Sequence, residues 1–267
     1  MKTPYFILRA ILLGVGALAA VRADTNEAVA TTTPFSQWTL STGFDYTTGK
    51  YGQPSSTDIL TIPVIGRYDY DLWTFKLIVP WTHVSGPADV VQDVGLLRNG
   101  AARPTRQTES GLGDVVATAT RNVLNESHAV SLDLTGKIKF GTANRNQGLG
   151  TGENDYSLQA DVYKVIEDFT PFVTLGYRIL GSPPGLSLNN VWFASGGATY
   201  RISAPTAVGA ALDLQERSSD TVENVSELTA FITHELDRQW KLQGYVLTGF
   251  THSSPDFGLG GIVSRAF

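Results

Sequence analysis

Cysteine is absent from all 267 residues, and methionine occurs once, at position 1. The chain therefore has no disulfide framework, no thiolate metal site and no N-terminal cysteine to carry a lipid. Long apolar runs are missing too. The longest, residues 10–21, falls short of the roughly 20 helical residues that cross a bilayer, so no transmembrane helix is expected. A basic stripe is also lacking, which leaves no footprint for nucleic acid. Hydrophobic residues make up 42% of the chain and charged residues 17%, and a length of 267 allows one large domain or two small ones.

The short apolar run has a different use. Lys2 and Arg9 stand before it, and Val21-Arg22-Ala23 follows with short residues suited to cleavage. This is the pattern of a secretory signal peptide. The expected division is a signal peptide at 1–23, a short periplasmic segment at 24–35 and one large domain at 36–267. Removing Lys2, Arg9 and Arg22 from the 20 basic residues leaves 17 against 25 acidic ones.

Alternation with period two fills the rest. Trp38, Leu40, Thr42, Phe44 and Tyr46 alternate with Thr39, Ser41, Gly43 and Asp45. Phe75, Leu77 and Val79 alternate with Lys76, Ile78 and Pro80. The pattern returns at 128–140, 155–162, 206–215 and 240–251, with weaker copies near 58–68, 113–123, 171–181, 191–202, 225–235 and 257–267. A strand between two unlike solvents has this period and a helix does not. A mean hydropathy of −0.04 fits, because apolar-out and polar-in average to zero.

The connections alternate in length. Those at 69–71, 125–127, 167–169, 203–205 and 237–239 are short. Those at 47–57, 84–111, 142–153, 182–190, 216–224 and 252–256 are longer and rich in Gly, Ser, Asn and Pro. Short turns on one rim and long loops on the other are the habit of outer-membrane barrels. Trp38, Tyr46, Tyr68, Trp73, Trp81, Tyr156, Tyr163, Trp192, Tyr200, Trp240 and Phe250 sit near strand ends, as interfacial girdles require. The expectation is an all-β, transmembrane, antiparallel up-and-down barrel of about twelve strands. Its partners would be the lipid bilayer and lipopolysaccharide, the outer-membrane barrel assembly machinery and a small-molecule solute, with the barrel itself a monomer. The terminal Phe267 resembles the sorting signal of such barrels, although Arg265 stands where an apolar residue is more usual.

Ser110-Gly111-Leu112-Gly113-Asp114 and Gly150-Thr151-Gly152-Glu153-Asn154-Asp155-Tyr156 resemble two blocks of a known family. These are the outer-membrane transporters named for the MetA pathway of phenol degradation. Phe172-Val173-Thr174-Leu175-Gly176-Tyr177-Arg178 and the closing residues 260–267 are also similar to theirs. The chain departs at Lys139-Phe140-Gly141-Thr142, where the family has a Lys-Pro-Thr-Gly type element. The resemblance implies uptake of aromatic or other small hydrophobic compounds.

The polar parity selects the charges that face inward. Lys76, Asp133, Lys137, Lys139, Asp155, Asp161, Arg178, Arg201, Asp213, Arg217, Glu227 and Lys241 are the candidate pore-lining residues, and Glu235 shares their parity. Unpaired burial of such groups costs several kcal/mol each. They line a conduit or form a salt-bridge network that fills the lumen; twelve strands lie between the filled and the open barrel sizes. Arg98, Arg103 and Arg106, in the longest loop, are the candidate mouth residues.

Catalytic and metal signals are weak. The glycines at 148–152 lack the Lys and Ser/Thr of a phosphate loop and read as a loop turn. His83, His128, His234 and His252 have no metal-binding spacing. His252-Ser253-Ser254 offers a base beside hydroxyls, but adjacency in a loop sets no catalytic geometry. The expectation is a passive channel with no cofactor and no metal rather than an enzyme. The alternatives are a structural or adhesion barrel and, third, a hydrolase.

Overall fold

The computed structural model describes residues 35–87, 106–125, 128 and 130–267, with two-residue strands at Tyr5–Phe6, Ala20–Val21, Val90–Val91 and Gly95–Leu96. The expected cleavage site, the segment 24–34, Arg98 and Arg103 lie outside the described residues.

Twelve staves form one closed antiparallel barrel. They are β1 (Ser36–Gly49), β2 (Thr57–Tyr70), β3 (Trp73–Pro87), β4 (Arg106–Leu112 continued by Val115–Leu124), β5 (Ser131–Phe140) and β6 (Asp155–Tyr163). Next come β7 (Phe169–Ile179), β8 (Val191–Ser203), β9 (Thr206–Gln215), β10 (Val225–Glu235), β11 (Trp240–Gly249) and β12 (Phe257–Ala266). Each pairs with the next, and β12 returns to β1 through ten register pairs from Phe257↔Thr48 to Ala266↔Thr39. Closure leaves no unpaired edge, and the expected strand number and topology are met.

Parity is the organising rule. Leu40, Leu77, Leu134, Leu158, Leu175, Leu212 and Val246 point outward and are exposed; Ser41, Thr61, Thr135, Gln159, Thr174 and Thr229 point inward and are buried. The arrangement inverts a soluble protein, whose exposed face is the polar one. Trp38 stacks on Tyr68 at 4.5 Å on the outer face. Arg265 lies over the rings of Trp240 at 5.3 Å and Phe267 at 4.9 Å, so the unusual residue near the terminus sits between two aromatics of the short-turn rim. Tyr163 departs from the expected girdle. It is one step out of phase with Tyr156 and points inward, packed with Phe172, Ala211, Phe231, Tyr245 and Leu247.

The turns fit their residues. Asp71 and Glu167 take left-handed backbone, at φ 51° and 54°. Asp237 accepts from the backbone N–H groups of Gln239 and Trp240, which hold its carboxyl below the usual carboxylate range. Several strand ends differ from expectation. The loop expected at 84–111 is shorter, because β3 runs on to Pro87 and β4 starts at Arg106. His128 falls outside β5 and caps a turn against Asn125, and β11 ends at Gly249, before Phe250 and Thr251.

One seam interrupts the ladder. Pro63 faces Pro80 across β2 and β3, β4 breaks at Gly113, and the β1–β2 register skips Gly43 and Phe44. Proline has no N–H to give the ladder. The carbonyls there find other donors: Thr42 Oγ1 to Pro63 O at 2.9 Å, and Gly113 N to Pro80 O at 2.9 Å.

Candidate functional site

The inner wall holds the charged residues, and the register sorts them by sign. Asn122, Asp133, Asp161, Thr174, Ser195, Asp213 and Glu227 are successive partners across β4 to β10. This acidic row climbs from the short-turn end of β5 to the long-loop end of β10. Asp133, Asp161, Asp213 and Glu227 are only 6%, 2%, 1% and 3% exposed. Arg67, Lys76, Thr118, Lys137, Ser157 and Arg178 form a second, basic row across β2 to β7. The rows lie four residues apart on their shared strands, roughly 13 Å at the usual rise per residue.

Local partners stabilise the acidic row. Asn122 Nδ2 donates to Asp133 at 2.6 Å. Asp161 accepts from Gln159 Nε2 at 2.9 Å and from Thr174 Oγ1 at 2.6 Å. Arg67 grips Asp69 with two nitrogens, and Thr74 donates to the same carboxylate at 2.5 Å. Lys241 meets Glu235 at 3.2 Å, and Arg201 meets Asp168 at 3.4 Å beside the β7 turn.

Lys139 stands in a different setting from the pore-lining one expected of it. Its Nζ lies 3.0 Å from Asp114, 2.9 Å from Asp155 and 3.4 Å from Thr151 Oγ1. The other oxygens of the two carboxylates accept from Ala143 N and Gly181 N. The two glycine-rich blocks therefore meet at one lysine. Gly111 leaves room for Leu149, and Gly150 for Asp114. The loop 141–154 is thereby folded inward, and Leu149, 3% exposed, packs with Ile59, Val84 and Ala143. A one-turn 3-10 helix, Arg145–Gln147, is capped by Asn144 and closed by Gly148 at φ 69°. Tyr51 leans on the same cluster, and burial pushes its phenol up.

Arg217 corrects a parity reading. It lies two residues beyond Gln215, the last residue of β9, where alternation has stopped, and its exposed side chain approaches Asp220 at 3.7 Å. Arg106 opens β4.

Aromatic residues complete the wall. Phe193, Phe172, Phe231 and Tyr245 are each the register partner of a glycine, namely Gly176, Gly197, Gly209 and Gly260. A Cβ on any of these glycines would strike the ring, so each ring lies flat over its neighbour strand instead of standing into the lumen. Tyr245 reaches past Gly260 and donates to Asp45 of β1. Alternation marks Asp45 as inward in the sequence, whereas the roles of Asp114 and Tyr245 emerge only from the contacts between strands.

The histidines are dispersed. His83 meets Ser110, His234 meets Thr206 and His252 meets Glu223. Ser254 bonds to the backbone of Ser226, and Ser253 accepts from Glu223 N. The Glu223, Ser253 and Ser254 contacts tie the β9–β10 and β11–β12 loops together, and the serine that meets a histidine ring is Ser110, 2.6 Å from His83 Nδ1 across β3 and β4.

The fold and its wall define a class: a closed twelve-stranded barrel, apolar outside and charged within. Solved structures of that class resemble the chain. An outer membrane channel from Pseudomonas putida F1 is similar at 16% identity, over 92% of this chain and 100% of that one, with a TM-score of 0.65. The KdgM porin is similar at 13% identity, over 86% and 99%, with a TM-score of 0.51. No family model matches the chain, and no curated protein matches it in sequence.

Proposed function

We propose that this chain is an outer-membrane channel for passive passage of small molecules, aromatic or hydrophobic compounds among them. A cleaved signal peptide exports it. The observation that carries the reading is the paired polarity of one closed ring. Exposed leucines and valines suit hydrocarbon, while the inner wall presents charged rows that run from rim to rim. The likeness to channel structures supports the barrel, and the resemblance to the phenol-degradation family supplies the substrate class. The inward charges and the mouth arginines set selectivity by charge.

Burial of the inner carboxylates supports a narrow route rather than a wide aqueous pore. The same burial favours a second reading, a structural barrel whose lumen is simply filled. Planar-bilayer recordings and liposome swelling separate the two. Purified protein refolded into phosphatidylcholine bilayers is expected to give discrete conductance steps and to admit small solutes. A membrane that stays sealed and liposomes that admit nothing retire the channel.

A further inference from the structure

We infer that the acidic row is a binding track for organic ammonium ions that carry an aromatic or apolar body. The inference deepens the channel reading and rests on it for physiological meaning. Four carboxylates occupy one unbroken row of register partners that holds no lysine or arginine. A cation moving along it passes from Asp133 near one rim to Glu227 near the other, with neighbouring strands about 4.8 Å apart.

A second observation points to a ligand. Ser195 lies between Thr174 and Asp213 in the row and is 4% exposed, and its hydroxyl has no hydrogen-bond partner among the described residues. A buried hydroxyl left so costs about 1–3 kcal/mol. A donor N–H from a ligand seated beside Asp213 satisfies it.

Flanking residues give the chemistry of the rest of the ligand. One inner position toward the long loops is Phe193; one toward the short turns are Tyr163 and Phe172. The Arg178 guanidinium already lies over the Phe193 ring at 5.6 Å, so this wall holds one delocalised cation of its own, and Tyr163 and Phe172 are the rings beside the row that attract a ligand cation through their faces and accept an apolar body. A bare metal ion fits less well, since no group of three or more His, Asp or Glu able to hold one occurs among the described residues. An anion is disfavoured by all four carboxylates.

The test uses the full mature chain refolded into nanodiscs of phosphatidylcholine, a lipid without net charge. Equilibrium dialysis at neutral pH compares 2-phenylethylammonium with phenylacetate, subtracting binding to nanodiscs without protein. The ammonium is expected to bind at least tenfold more tightly. Asp161→Asn and Asp213→Asn, checked for folding by circular dichroism, are each expected to weaken it tenfold or more. Asp220→Asn, on an exposed loop, is expected to change nothing. Equal binding of the two probes, which needs no variant, overturns the inference; so does ammonium binding that both inner variants leave intact. Ammonium binding without conductance retires the channel and leaves the track, whereas conductance without ammonium preference retires the track alone.

Discussion

Lys139 is surrounded by two carboxylates and a threonine hydroxyl, with little access to water. Removing one member of such a buried set leaves a charge uncompensated, typically at about 3–5 kcal/mol. Lys139→Met is therefore expected to release the inward loop 141–154 while the staves persist. Limited proteolysis reads this directly, with new cleavage within 141–154 and none in β7 to β12. Adding Asp114→Asn and Asp155→Asn is expected to restore much of the protection, because no lone charge remains. At the opposite side of the mouth, the backbone N–H and ring of His252 hold the Glu223 carboxyl below its ordinary value. A depressed folded pKa gives stabilisation that is present above the unfolded carboxylate range and lost as pH falls through the folded value. Hydrogen-exchange protection in 216–224 and 250–256, taken relative to the intrinsic amide rate at each pH, should thus be flat near neutrality and fall once the pH drops below the ordinary carboxylate range, a fall absent in Glu223→Gln. Parity alone exposed Asp133, Asp161 and Asp213 in the sequence. It misjudged Lys139, whose partners come from distant blocks, and Arg217, which lies two residues past a strand end.

Alternation placed all twelve staves because outward and inward faces meet different solvents along their whole length. Pairing between staves was a different matter. Nothing in the sequence said that Phe193 would face Gly176, or Phe231 face Gly209, since register depends on the shear of the closed ring. A glycine within a strand ordinarily weakens it; the register turns those of β7, β8, β9 and β12 into seats for rings. The seat has a measurable consequence. Gly176→Ala drives a methyl group into the Phe193 ring, and overpacking of this kind costs about 1–3 kcal/mol. Phe193→Ala loses the buried ring, typically at about 3–5 kcal/mol. Because the two changes act on one contact, the double variant is expected to fall short of their sum by about 0.5–3 kcal/mol, read from urea unfolding of the lipid-refolded protein. Strict additivity would mean that the ring does not rest on the glycine. The prolines at 63 and 80 teach the same point from the other side. They sit within staves that alternation alone marks as regular, and the ladder accommodates Pro63 by skipping pairs at Gly43 and Phe44 and Pro80 by the break of β4 at Gly113.

The whole molecule is decided by which solvent its outer surface meets. Leu175 stands midway along β7 and is 53% exposed; Leu236 lies in the turn after β10 and is 56% exposed. In a water-soluble barrel the two positions are equivalent, and arginine at either changes stability by no more than about 0.5 kcal/mol. In a membrane they differ by depth. Arginine at the midplane costs about 2–4 kcal/mol, and near the interface about 0–1 kcal/mol. Leu175→Arg is thus expected to lower the unfolding free energy in phosphatidylcholine vesicles several-fold more than Leu236→Arg. The difference depends on lipid rather than on packing, because neither side chain touches the buried interior. Equal effects at the two sites would place the apolar face in water, and the inward charges would then need another explanation than a lumen. A gradient with depth fixes the ring across the bilayer and puts both charged rows on the side of the wall that faces away from lipid.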